Sequence, residues 1–170
     1  EDGAVLPVMK GPPVLTYDSF VVEPLCFSGG DIGKLSICGT VNDLSSMGAR
    51  PLYLTASFIL ETGLETEILE KVVSSMAETA REAGVSIVAG DTKVIEGKGG
   101  LYINTAGIGE RAPDLAISAS AMEEGDSVIL TGTMGDHHGT ILTARLHMKS
   151  SLRSDCAPLN GLVESLLKEG

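Results

Sequence analysis

A chain of 170 residues, 43% of them apolar, suffices for one ordinary domain, or for a small domain plus part of a second, around a real core. Its formal charge of −11 argues against nucleic acid as a partner, because a phosphate backbone demands a Lys/Arg surplus that is missing here. A nucleotide ligand stays possible where metal ions neutralise its phosphates, so acidic clusters become a reason to look for Mg²⁺.

Ala4 to Met9 is a short apolar run closed by Lys10-Gly11-Pro12-Pro13 and reads as a strand and a turn. Val14 to Val22 alternates as a second strand, with Asp18 set in it; that carboxylate faces either solvent or a site at the strand's end. Ser28 to Ala49 (SGGDIGKLSICGTVNDLSSMGA) then reads as the central helix, loosened at entry by a double glycine and stopped by Gly48. Ile37, Val41 and Leu44 give it one apolar face, which Asn42 and Asp43 interrupt. Asp43 faces the negative end of the helix dipole, a local cost that a bound cation would offset and that turning to solvent would also relieve.

Pro51 marks a break, and Leu52 to Leu60 follows as a strand. A second helix spans Glu65 to Ala83, with Met76 in its apolar stripe as core packing and Gly84 as its stop. Val85 to Ala89 is a continuous apolar run, expected as a central buried strand. It ends in Gly90-Asp91-Thr92-Lys93, where a carboxylate can hold a metal, a hydroxyl is on offer and a lysine can reach a phosphate; the same four residues also suit a polar turn with a surface ion pair.

Lys98-Gly99-Gly100 makes a hairpin turn into a strand over Leu101 to Gly109, and the pattern loosens around Arg111 to Glu124, where a domain boundary is expected. Ser127 to Thr131 reads as a strand, the Gly132–Gly139 stretch as a glycine-rich loop, and Thr140 to Met148 as a helix. A strand, a glycine-rich loop and a helix start form an anion cradle, without the Gly-Lys-Ser/Thr of a Walker A loop. His137 and His138, being adjacent, project differently and suit a polar-loop role better than one shared metal. Ser154 to Pro158 is a helix-breaking turn, and Leu162 to Leu167 begins another helix.

Three cysteines, Cys26, Cys38 and Cys156, lie far apart with no Cys-x-x-Cys spacing, which points to buried thiols in a reducing compartment and not to zinc. No apolar run approaches the roughly 18 residues of a membrane span. The start at Glu1 has neither a basic nor an apolar leader region, so the expected location is the cytoplasm, away from any membrane.

Asp18, Asp43 and Asp91 each lie at an element end in a β–α–β–α–β run, with Asp2 near the start. On these residues, and on the stretches CGTVNDL, VAGDTKV, INTAGIG, TGTMGDHHG and SDCAPL, the chain closely resembles the N-terminal half of the hydrogenase maturation factor HypE family. That family sits in the PurM-like, AIR synthase-related ATP-binding superfamily with selenophosphate synthetase and thiamine-monophosphate kinase. The resemblance implies an α/β (α+β) domain over residues 1–112, a mixed sheet with helices on one face, pairing with a second copy into a barrel. Residues 113–170 would be the incomplete start of a second α+β domain, with ATP bound between the two. It further implies ATP-dependent dehydration of a C-terminal cysteine thiocarboxamide to a thiocyanate, the precursor of the cyanide ligands of nickel–iron hydrogenase.

In the same reading Asp2, Asp18, Asp43 and Asp91 are the metal carboxylates. Asp43, Asp91 and Lys93 carry catalysis, and Asp18, Asn42, Thr92, Gly135 and Asp136 join Asp43, Asp91 and Lys93 around ATP and Mg²⁺. A homodimer is also expected from short edge strands that cannot bury both faces of so small a sheet. HypF, as carbamoyl donor, and a HypC–HypD complex, as cyanide acceptor, would be the partners. The tail cysteine and most of the second domain have no counterpart here, which makes the chain a fragment expected to be inactive alone. Two other readings stay open: a non-catalytic dimerisation module, and another small-molecule kinase or synthetase of the superfamily.

Overall fold

The computed structural model describes residues 3–115 and 117–169. Four strands build the main sheet: β1 (Pro13–Phe20), β4 (Ala49–Glu61), β5 (Ser86–Ile95) and β6 (Leu101–Arg111), in the spatial order β1-β6-β4-β5. β6 runs antiparallel to both β1 and β4, whereas β4 and β5 are parallel, so the sheet is mixed as expected. A two-residue ladder of β2 (Cys26–Phe27) and β3 (Gly30–Asp31) leads into helix α1 (Ile32–Ser46). Helix α2 (Thr66–Ala83) joins β4 to β5 as the crossover that a parallel pair requires. Beyond β6 come α3 (Asp136–Arg145) and α4 (Asn160–Glu169), separated by irregular chain.

The core lies between α1 and the sheet. Ile37, Val41 and Leu44 of α1 are fully buried, together with Leu54, Leu101 and Ile103 from the strands and Val72 and Met76 from α2. Along β1 the even-numbered residues turn toward α1; the odd-numbered Leu15 and Tyr17 stay 71% and 68% exposed on the helix-free face. Gly107 lets α1 approach β6 closely, since a Cβ there would stand 2.6 Å from Thr40 Cγ2. Beside it the buried hydroxyls of Thr40 and Thr105 hydrogen-bond to each other, which satisfies two polar groups at the centre of the interface. Both long helices stop at the glycines expected, Gly48 and Gly84, each with φ of +70°.

Several local readings change. Residues 4–9 and 127–131 form no strand; Val5, Val8 and Val128 are almost fully exposed, and neither segment finds a ladder partner among the described residues. Pro51 lies inside β4, not before it. It is tolerated at a register shift between Pro51 and Tyr53, ahead of the first β4–β5 pair, Tyr53 with Ser86, so its missing N–H breaks no ladder on that side.

The run from Val85 is not a central strand: β5 is an edge of the sheet, with Ile87 42% exposed. Gly90 to Lys93 are no turn either, because β5 continues through them to Ile95, paired with Ala56 to Ile59. The last loop is shorter than expected, since α3 begins at Asp136 and takes His137 and His138 into its first turn. Among the described residues no helix is long and apolar enough to cross a membrane.

The α1–β6 contact yields a direct test. Gly107→Ala drives a methyl into Thr40 and Leu44 and is expected to cost about 1–3 kcal/mol in urea unfolding. Gly161→Ala, in open space on α4, should cost nothing.

Candidate functional site: a carboxylate pair on α1 and β1

Alternation along β1 turns Asp18 toward α1, and Asp43, one turn before the end of that helix, reaches the same spot from above. The two carboxyl groups are close enough to hydrogen-bond to each other, and Thr16 Oγ1 donates to Asp43 Oδ2 at 3.2 Å. Partial burial, then the negative charge of Asp43, then that shared hydrogen bond push the Asp18 carboxyl above the ordinary carboxylate range; a backbone hydrogen bond at Ser19 works weakly the other way. Asp18 is half-buried and Asp43 exposed, and two carboxylates this close repel unless a proton or a cation lies between them. Two oxygen donors on rigid elements fit a hard cation such as Mg²⁺, which takes few protein ligands and keeps its waters.

The other expected residues are placed as follows. Asp91 and Lys93 lie on β5, opposite Ser57 and Ile59 in the ladder, on the sheet face turned away from the helices. They form an ion pair of 2.6 Å with both side chains more than half exposed. A hydrogen bond from Lys93, then one from the backbone of Thr92, holds the Asp91 carboxyl below its usual range. Such an exposed pair contributes little to stability. β1 and β5 are opposite edges of the sheet, so a single chain does not bring Asp18 and Asp43 together with Asp91, Thr92 and Lys93. Among the described residues no group of three or more His, Cys, Asp or Glu side chains could hold a metal. Asp2 lies outside the described residues.

Asn42 sits beside Asp43 but spends both ends of its amide on the chain itself. Its Nδ2 donates to the Ala157 carbonyl at 3.0 Å, and its Oδ1 accepts from the Leu159 N–H at 2.7 Å. It thus clamps residues 157–159 onto α1. Gly135, with φ of +97°, precedes the first turn of α3, which Asp136 opens. The Asp155 carboxylate accepts the His137 N–H at 3.1 Å and satisfies one of that helix's unpaired donors. The His137 ring shares a hydrogen bond of 3.0 Å with Ser154 Oγ and packs edge-on against Phe27. Burial pulls its pKa down, against the pull of Asp155. His138 is exposed, so the two histidines have different surroundings.

Sequence reasoning missed three contributors. Asp31, 4% exposed, caps α1 by accepting the Lys34 backbone N–H at 3.0 Å, and an Asp directly before the helical run carried that signal. Ser154 and Asp155 support α3 from a remote part of the chain, and no local pattern announces that.

The first 111 residues match the family model for the AIR synthase related protein, N-terminal domain. The chain belongs to that family. It is 51% identical over 154 residues to the carbamoyl dehydratase HypE of Escherichia coli (strain K12), covering 88% of this chain and 46% of that protein. A crystal structure of the hydrogenase maturation protein HypE in complex with ATP superposes with a TM-score of 0.94 at 48% identity, over 99% of this chain and 51% of that one. The structure of a HypE–HypF complex matches with a TM-score of 0.90 at 51% identity, over 96% and 55%. The chain therefore spans about half the length of the relatives it matches.

The acidic pair predicts a pH signature. A carboxyl whose folded pKa is raised favours the folded state below the unfolded pKa, and that contribution is lost as pH rises through the folded value. Asp18→Asn should therefore raise the thermal midpoint at pH 7, and the gain over wild type should vanish below about pH 4. Thermal melts of both proteins between pH 3 and 8, in the presence of a chelator, check it.

Proposed function

We propose that this chain is the nucleotide-handling half of an ATP-dependent carbamoyl dehydratase of the HypE type. The reaction would convert a cysteine thiocarboxamide to a thiocyanate for the cyanide ligands of nickel–iron hydrogenase. The observation that carries the reading is the Asp18–Asp43 contact, an arrangement costly to a scaffold and useful to a metal-bound nucleotide. The similarity to a HypE that binds ATP supports it.

An amide oxygen is a poor leaving group, and ATP would supply the phosphoryl group that makes it a good one. The protein's part is then positioning and charge. Asp18 and Asp43 would hold Mg²⁺ at the phosphates, with Asp2 as a further candidate, and Lys93 would offer its ammonium to a phosphate. Thr92 would add a hydroxyl, and Gly135 and Asp136 the start of α3.

Because Asp91 and Lys93 lie at the far edge of the sheet, the reading includes a homodimer. A barrel in which β5 of one copy pairs with β1 of the other would join the two sheets. In that pairing the Asp91–Lys93 stretch of the second copy would lie beside the strand that carries Asp18. The exposed Leu15 and Tyr17 on the helix-free face suit the barrel interior. Residues 1–112 would be the ATP-binding and dimerising domain and 113–170 the start of the next. HypF, found with a HypE in one of the similar structures, and a HypC–HypD complex would be its partners. Three free cysteines suit the cytoplasm.

Calorimetric titration with ATP in excess Mg²⁺ tests the site. Wild type should bind, while Asp43→Asn and Asp91→Asn should each lose at least about tenfold, roughly 1.4 kcal/mol. Dissociating and mixing the two variants should restore wild-type affinity in a minority of sites, since each mixed dimer regains one intact site. Loss in Asp43→Asn alone would put the whole site within one chain. No binding by wild type at millimolar ATP would favour a dimerisation module.

A further inference from the structure

Cys38 and Cys156 are remote in sequence yet adjacent in space. On α1 the residues Lys34, Cys38 and Asn42 recur every four positions and share one face. The segment from Ser154 to Leu159 lies across that face, fixed at two points. Its start is held by the Ser154 N–H donating to the Ser28 carbonyl at 2.8 Å, and its end by the Asn42 amide on Ala157 and Leu159. Between these anchors, and one turn before Asn42, Cys156 lies against Cys38, close enough for the two thiols to interact. Cys38 is 1% exposed, whereas Cys156 is half-buried and reachable from solvent. Both thiols are free.

Their environments differ in a useful way. The hydrogen bond with Cys38, helped by the Lys34 ammonium, pulls the Cys156 thiol below its ordinary value against the effect of burial. The same hydrogen bond, together with burial, pushes Cys38 up. By exposure, Cys156 is thus the accessible attacker and Cys38 the sheltered resolver beside it. Cys26 lies on β2, where the ladder pairs it with Asp31 of β3.

We propose that Cys38 and Cys156 form a dithiol site that closes reversibly to an intramolecular disulfide in exchange with a small-molecule disulfide. The Cys156 thiolate attacks one sulfur of the external disulfide, forming a mixed disulfide and releasing one thiol. Cys38 loses its proton and attacks Cys156 Sγ, forming the internal bond and expelling the second thiol. Two protein thiols are oxidised and one external disulfide is reduced to two thiols, which take up the two protons. The bond staples the segment after α3 to α1, one turn before Asn42 and Asp43, and closes a long loop of the unfolded chain.

The test is incubation of the reduced protein with glutathione disulfide, followed by thiol titration, peptide mapping without reductant and a thermal melt. Free thiols should fall from three to one. The map should join the peptides of Cys38 and Cys156, and the midpoint should rise by roughly 5 °C or more. Reduced glutathione should reverse all three changes. Cys26→Ser should keep the cross-link and Cys156→Ser should lose it. Should Cys156→Ser fail to fold, mapping on Cys26→Ser still decides the matter. The proposal is overturned by a persistent mixed disulfide at Cys156 without the internal link, by a link that contains Cys26, or by three thiols that stay free.

Discussion

The seating of α1 on β6 is the constraint on which the rest of the molecule depends. Gly107 removes the side chain that would hold the helix away, and the Thr40–Thr105 pair satisfies the polar groups trapped when it closes in. With Ile37, Val41 and Leu44 fully buried, the helix can neither rotate nor slide without exposing apolar surface or stranding a hydroxyl. Its free faces are fixed in consequence. One presents Asp43 to β1, and another presents Lys34, Cys38 and Asn42 to the segment that follows α3.

That rigidity explains how an unfavourable contact persists. Asp18 and Asp43 face each other from β1 and α1, two elements held in place by the packing around them. Local conflict sustained by a well-packed surround is expected where a fold has been shaped by something other than its own stability. Asp91 and Lys93 are the opposite case: exposed and paired with each other, on a strand whose outer edge has no neighbour among the described residues. The acidic set thus holds one crowded pair and one exposed ion pair, at opposite edges of the sheet.

Periodicity made much of the scaffold legible. The apolar stripes of α1 and α2 and their glycine stops named both helices and most of the core, Met76 included. Local pattern failed where pairing decides. VSIVA looks the same whether a strand is central or at an edge, and Gly90 to Lys93 look like a turn until a parallel neighbour holds them extended. Residues 4–9 and 127–131 carry strand-forming side chains, but a strand needs a ladder. At the site, Asp18 and Asp43 could be suspected from their places in β1 and α1, while the Asn42 clamp and the Cys38–Cys156 contact join residues too distant for any motif to link.

The β1–β6 ladder has a consequence for how the molecule assembles. Phe20 pairs with Ile103 and Pro13 with Glu110, so the first strand to be made waits for the last strand of the sheet before it gains a single ladder bond. Helices and the β4–α2–β5 crossover can form from nearby residues, whereas β1 must close a loop that contains them all, the slow kind of step in folding. On a ribosome β1 therefore emerges early and docks late. Asp18 travels on it, so the acidic pair is the final piece of the sheet to be completed, and a chain that has not yet closed its sheet holds no carboxylate pair to offer a cation.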